Sequence, residues 1–251
     1  MSNIILIPTY NECDNIIDII SRIREYEKDI LIMIIDDNSP DGTAKVVEEL
    51  MIRDSRVTLF EHGRKEGLGV AYVDALNRVK TMKGIDNIIT MDADGSHDPK
   101  YIHEMLKEVN NFDLIIGSRY VKGGGVENWE WYRRMLSCLG NIYSQIILGM
   151  KIKDLTAGYV CFRKSILDNI NFKRFYNSGY AYQIEFKYYC VKICGASCVE
   201  VPIIFRERRK GQSKISLSII IGGIITPIRL RFTVFTQGRG SNILRNESKS
   251  M

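Results

Sequence analysis

Ile88-Ile89-Thr90-Met91-Asp92-Ala93-Asp94-Gly95-Ser96-His97 is an apolar run that stops abruptly at acidic and turn-forming residues. The uncharged stretch 88–91 reads as a strand buried on both faces. Asp92 and Asp94 sit two apart, so in extended backbone both carboxylates point the same way. Such a pair suits a hard divalent cation, Mg²⁺ or Mn²⁺, completed by phosphate oxygens and water. A cation on a diphosphate neutralises charge on a leaving nucleotide.

The pattern recurs on either side. Residues 4–7 run into Pro8-Thr9-Tyr10-Asn11-Glu12, and residues 30–35 into Asp36-Asp37-Asn38-Ser39-Pro40-Asp41-Gly42. Residues 114–116 run into Gly117-Ser118-Arg119-Tyr120, and 57–60 is a further apolar strand. Segments 11–26, 43–51, 68–80 and 99–109 carry apolar positions at helical spacing. Alternating β and α elements predict an α/β fold: a mostly parallel central sheet flanked by helices on both faces. In such sheets ligands bind beyond the carboxyl ends of the strands, where all four polar clusters fall. Turn chemistry accounts for any one cluster alone. Asp36 and Asp37 are adjacent, so their side chains diverge, one bracing the turn while Asp37 reaches the nucleoside. Gly67-Leu68-Gly69 lacks the third glycine of a dinucleotide fingerprint and reads as a helix entry.

Beyond residue 120 the rhythm changes. Residues 123–125 read as a flexible loop, 129–148 as a helix, 159–162 as a strand, 183–193 as a helix and 199–205 as a strand. Residues 206–214 form a basic loop. The apolar segment 215–232 is interrupted by Gly222, Gly223 and Pro227. Arg133 and Ser137 lie four apart on one helix face. With Arg119 at a strand end they suit a phosphate, which a guanidinium fork grips and a hydroxyl supplements.

The 251 residues carry a net charge of +5. From Phe205 to Met251 ten Lys/Arg stand against two Asp/Glu, a local +8 that leaves the first 204 residues at −3. A basic end implies an anionic partner or a solvated tail. Cys190, Cys194 and Cys198 recur every four residues, but apolar neighbours make them small buried side chains rather than a metal site. No secretory signal opens the chain, and the expected compartment is reducing and cytosolic.

These blocks resemble the dolichyl-phosphate (polyprenol-phosphate) mannosyltransferases of glycosyltransferase family 2. The resemblance spans roughly residues 3–232 and continues through Asp154-Leu155-Thr156-Ala157-Gly158-Tyr159, Gly179-Tyr180-Ala181-Tyr182-Gln183-Ile184-Glu185, Val201-Pro202 and Gly211-Gln212-Ser213-Lys214. It implies a GT-A fold, assigned to 1–214; composition leaves an apolar interfacial or packing segment over 215–232 and a basic tail over 233–251. It implies donor contacts from Pro8, Tyr10, Glu12, Ile35 and Asp37, with Asp92, Ala93 and Asp94 at the diphosphate and Arg208 and Lys214 holding the donor from a loop. Asp94 and Ser96 would help hold the metal, Ser96 standing where some relatives have glutamine. Arg119, Arg133 and Ser137 fall at the acceptor phosphate.

The reaction implied is inverting transfer of mannose from GDP-mannose to dolichyl or polyprenyl phosphate. A phosphate monoester, with its second pKa near 6, is already anionic at neutral pH. It needs no base, so His97 reads as structural; Glu185 is a candidate for positioning the sugar. Other readings are a UDP-glucose or other nucleotide-sugar transferase of the same fold, a nucleotidyl transferase, and a non-catalytic membrane-docking subunit. The implied partners are a membrane surface and a small membrane subunit, with no nucleic acid. The implied location is the cytosolic face of a membrane: endoplasmic reticulum in a eukaryote, plasma membrane in a prokaryote. Residues 219–228 are too few to cross a bilayer, which takes about 20.

Overall fold

The computed structural model describes residues 2–176, 179–207 and 220–232. Seven strands form one sheet in the order β3-β2-β1-β4-β7-β5-β8. They are β1 (Ser2–Thr9), β2 (Leu31–Asp36), β3 (Val57–Glu61), β4 (Ile85–Thr90), β5 (Leu114–Ser118), β7 (Val160–Arg163) and β8 (Cys198–Pro202). Only β7 runs antiparallel to its neighbours, β4 and β5. A short pair, β6 (Gly125–Val126) with β9 (Ile204–Phe205), stands outside this sheet.

Successive strand residues serve opposite layers, which is why the runs are unbroken rather than alternating. Ile5, Ile7, Ile32, Ile34, Ile89 and Ile115 pack on one face with α1 (Ile16–Tyr26) and α4 (Ile102–Glu108). Ile4, Leu6, Met33, Ile35, Ile88 and Ile116 pack on the other with α3 (Leu68–Thr81) and α6 (Tyr182–Tyr188). The remaining helices are α2 (Thr43–Arg53) and α5 (Trp131–Leu148). The mostly parallel sheet and its helices match the sequence reading.

Several boundaries move for local reasons. The first helix begins at Ile16 rather than residue 11: Asn11 takes φ +60°, and the Glu12 carbonyl accepts from the N–H groups of Asn15 and Ile16. That turn leaves Tyr10 and Glu12 at the sheet edge. The strand expected over 199–205 breaks after Pro202, and β9 leaves to pair with β6. The glycines at 123–125, read as a loose loop, are therefore ordered. A Cβ at Gly124 would lie 2.5 Å from the Ser118 carbonyl oxygen, so only glycine lets this loop fold back on β5.

Residues 220–232 are helical despite two glycines and a proline. Tertiary packing overrides propensity there. Thr226 and Leu230 are buried, and Gly222 passes close to Ala181 at the start of α6. Arg208, Lys214 and the tail 233–251 lie outside the described residues.

Replacing Gly124 by alanine forces the 119–125 loop away from β5. The expected cost is about 1–3 kcal/mol, as for overpacking a tight site, read as a lower urea midpoint than that of Gly63→Ala, whose Cβ meets nothing within 4 Å.

Candidate active site

The sheet's carboxyl edge collects every polar cluster picked out above, in two groups that meet at the acidic loop. β4 ends at Thr90, although the Met91 N–H still reaches the Leu6 carbonyl. Asp92 and Asp94 therefore sit in a bend rather than on an extended strand. Asp94 Oδ1 accepts the Ser96 N–H at 3.0 Å, and Gly95 takes φ +77°. Asp92 is partly open to a cavity, whereas Asp94 and Ser96 are buried. A turn, not strand pleating, brings these oxygens together.

The residues fit a hard cation. The Ser96 hydroxyl is buried with no hydrogen-bond partner among the described residues, beside the Asp94 carboxylate. Gly158 leaves room opposite: a Cβ there would sit 3.7 Å from Asp92 Oδ1. Ala93 is packed into the core, so it can meet a ligand only through its main chain.

His97 lines the cavity wall and is held there by its neighbours. Its Nδ1 accepts the Asp92 N–H at 3.0 Å, and its ring stacks on Tyr159 and meets the edge of Phe205. Glu185 does not line the cavity; both its carboxylate oxygens accept the Tyr176 N–H, at 3.2 and 3.3 Å, and its neighbour Gln183 lines the wall instead.

The cavity, about 460 Å³, opens beside Asp92. Arg119, Arg133 and Ser137 line it together, as their spacing predicts. Farther along, the wall turns apolar, with Leu136, Leu139 and Tyr143 of α5 facing Ile220 and Ile224. Tyr143 donates its hydroxyl to the Ile224 carbonyl, tying the two helices. The Arg133 guanidinium stacks on Trp129, 4.2 Å from the ring centre, with Glu207 at 3.7 Å.

Arg119 is held more firmly than the sequence suggests. Its Nε and Nη2 donate to the two Asp154 oxygens at 2.8 and 2.7 Å, and Nη2 also reaches Thr156 Oγ1. Burial alone would push the guanidinium pKa down; the Asp154 charge more than offsets that and raises it. Burial likewise works to raise the Asp154 carboxyl, but Arg119 holds it below its ordinary value. The sequence offers Asp154 only as part of a motif, and spacing assigns Lys187 no role. Lys187 is a charged residue in an aromatic helix, and that was its signal. Burial holds the Lys187 ammonium down to about 7, partly opposed by Asp154.

The donor residues lie at the ends of β1 and β2. Asp36 braces the turn, accepting from the Thr9 and Ser39 hydroxyls. Asp37 accepts the N–H groups of Glu66 and Gly67 at 2.8 Å each, and His62 lies against it at 3.3 Å. Both aspartates thus shape loops. Lys65 sits over the Tyr10 ring at 3.4 Å, and Glu12 accepts from the Asn15 amide. Ile35 is fully buried, leaving only its main chain for a ligand; Pro8 pairs opposite it. His62, Glu66 and Asp74 also cluster within 4.8 Å, but Glu66 is paired with Arg64 and His62 lies between Asp37 and Asp74.

The family model described as glycosyl transferase family 2 matches residues 4–171. The chain is 41% identical over 219 residues to a polyprenol monophosphomannose synthase of Mycolicibacterium smegmatis, covering 86% of this chain and 82% of that protein. It is 36% identical over 224 residues to an undecaprenyl-phosphate mannosyltransferase of Micrococcus luteus, covering 89% and 91%. Among solved structures, mannosyl-3-phosphoglycerate synthase from Rubrobacter xylanophilus matches with a TM-score of 0.67 at 20% identity, over 95% of this chain and 75% of that one. Glucosyl-3-phosphoglycerate synthase from Mycobacterium tuberculosis, in complex with Mn²⁺, UDP and glucosyl-3-phosphoglycerate, matches at 0.65 and 14%, over 92% and 79%.

Asp154→Ala strands the Arg119 charge in the interior and is expected to cost about 3–5 kcal/mol of unfolding free energy. Because the folded Asp154 pKa is depressed, the pair's contribution is complete above the ordinary aspartate value of about 3.9 and is lost as pH falls through the lower folded value. Urea unfolding curves of wild type and variant should converge only in strong acid.

Proposed function

The chain belongs to glycosyl transferase family 2, and from that premise we propose that it moves mannose from GDP-mannose onto a polyprenyl phosphate at a membrane surface. One observation carries the reading: a single cavity begins at Asp92, passes Arg119, Arg133 and Ser137, and continues between apolar helix faces. A ligand matching it has an anionic head and a hydrocarbon tail. The mannosyl names of the relatives at 36–41% identity support the sugar and the lipid class.

The acceptor phosphate, anionic at neutral pH, is held by the arginine pair and Ser137 with an oxygen directed at the anomeric carbon. That oxygen forms a bond to the carbon as the bond to the nucleoside diphosphate breaks on the opposite side, inverting the configuration. A divalent cation, Mg²⁺ or Mn²⁺, held by Asp92, Asp94 and Ser96 would neutralise charge on the leaving diphosphate. Tyr10, Glu12 and Asp37 would hold the nucleoside end, with Pro8, Ile35 and Ala93 contributing main chain. No base is required, consistent with His97 being engaged at Nδ1.

Among the described residues no helix is long and apolar enough to cross a membrane. Instead, α5 exposes Trp131, Met135, Leu139, Ile142 and Ile146, and the 220–232 helix exposes Ile221, Ile225, Ile228 and Phe232. Arg134, Arg229 and Arg231 accompany them. Apolar residues rimmed by arginines suit the interface of an anionic bilayer. Both faces flank the cavity, so docking there would present its apolar end to the lipid.

With radiolabelled GDP-mannose and a polyprenyl phosphate, label should enter the lipid fraction with Mg²⁺ or Mn²⁺ and not with chelator. Asp94→Ala should abolish transfer; retained turnover removes the metal role. Arg133→Gln should raise the acceptor KM about tenfold or more and leave the donor KM nearly unchanged. Lipid labelling from UDP-glucose instead would overturn the donor assignment.

Ile146→Glu and Ile225→Glu should each weaken co-sedimentation with anionic vesicles by about tenfold. Unchanged sedimentation would move the membrane contact elsewhere.

A further inference from the structure

Lys187 is the next-to-last residue of α6, between Phe186 and Tyr188, with its side chain wholly buried. Its Nζ donates to the Ala157 carbonyl at 2.6 Å and to the Gln183 carbonyl at 3.3 Å. Both of those residues line the cavity, whereas Lys187 does not. Ala157 closes a turn that begins at Asp154, whose carbonyl accepts the Ala157 N–H. Asp154 and Thr156, the two residues that grip Arg119, both sit in that turn.

The turn is held from several directions. Glu200 of β8 accepts the N–H groups of Lys153 and Asp154, each at 2.9 Å. Asn141 of α5 accepts the Thr156 N–H. Lys187 takes the remaining end, at Ala157. The charged and titratable groups facing its ammonium are Asp154 from the turn, Glu200 from β8, Arg119 from the end of β5 and the Cys190 thiol from the π-helical turn 189–193 that follows α6. Two cations thus balance two carboxylates; Lys187 and Asp154 are fully buried, where an unbalanced charge is costly, while Glu200 is half-buried at the rim.

Building on the reading of Arg119 as an acceptor-phosphate residue, we propose that Lys187 is a positioning residue: it pins the 154–157 turn and balances its carboxylates, and so sets the angle at which Arg119 meets the phosphate. Loss of its charge leaves Asp154 and Glu200 in excess beside an incoming anion. With Lys187 titrating at about 7, that loss falls across neutral pH. Phosphate affinity then drops as pH rises. The phosphate's own ionisation, near pH 6, pushes the opposite way.

The test is calorimetric binding of geranyl phosphate to the full chain between about pH 6.5 and 8.5, for wild type, Lys187→Met, Lys187→Gln and Arg133→Gln. Lys187→Met should bind about tenfold more weakly than wild type at the acid end, with a near-ultraviolet circular dichroism spectrum unchanged. Wild-type affinity should fall toward the variant's as pH rises, and the variant's profile should lack that fall. If Lys187→Met does not fold, Lys187→Gln and the wild-type profile decide the matter, and a wild-type profile without the fall overturns the proposal. Lys187→Met with wild-type affinity and pH dependence, alongside weakened Arg133→Gln, also overturns it while leaving the acceptor site intact. Equal affinity in all variants overturns the acceptor reading itself.

Discussion

Asp154 and Arg119 meet with almost no water around them, and their ion pair ties the odd strand of the sheet to its neighbour. β7 enters against the direction of every other strand, so the 154–159 turn that delivers it lies at the same edge as the exits of β4 and β5. Burying two charges there costs more than their attraction returns unless every lone pair is satisfied. The Asp154 oxygens accept from Arg119 Nε, Nη2 and main-chain N–H and from the Thr156 hydroxyl, and that condition is met. The consequence is a guanidinium fixed in place before any ligand arrives. Pre-set cations of this kind need no reorganisation as charge shifts during a reaction.

The rest of the edge divides around this point. The ends of β1, β2 and β3 hold Tyr10, Glu12, Asp37 and the 62–67 loop, with the acidic loop after β4 at the seam. On the far side, the end of β5, the 154–157 turn, α5 and the 220–232 helix enclose the cavity. A fold covered on both faces has little other place to gather charge, since its strands are apolar on either side. The helices that wall the cavity also carry the exposed isoleucines, so the seam between protein and solvent changes from polar to apolar within one cavity.

The sheet was legible because its strands are continuous apolar runs, each ended by a polar cluster that propensity alone does not explain. The joint placement of Asp92, Arg119, Arg133 and Ser137 followed from strand ends and a four-residue helix spacing. What could not be read depended on distant pairs. The Asp92–Asp94 arrangement comes from an Asp94-to-Ser96 turn rather than from pleating. The turn at Asn11 needed a positive φ that no periodicity signals. The separation of β9 from β8 depends on its pairing with β6, and the order of the 220–232 helix on packing against α6. Lys187 and Glu200 acquire meaning only once the Asp154 turn is seen between them, because neither stands near Arg119 in the chain.

An anionic nucleophile also suits the groups that line the cavity among the described residues. A hydroxyl acceptor would need a base to take its proton, and the two residues that the sequence offered for acid–base or sugar-positioning roles are engaged: His97 at Nδ1 with the Asp92 N–H, Glu185 with the Tyr176 N–H. A phosphate monoester brings its own charge, so the site's task becomes holding an anion and excluding water. Arg119, Arg133 and Ser137 suit the first, and Leu136, Leu139, Ile220 and Ile224 suit the second. Among the described residues that line the cavity the one carboxylate is Asp92, which the proposed reading gives to the cation, so on that reading transfer is favoured over hydrolysis without a dedicated gate.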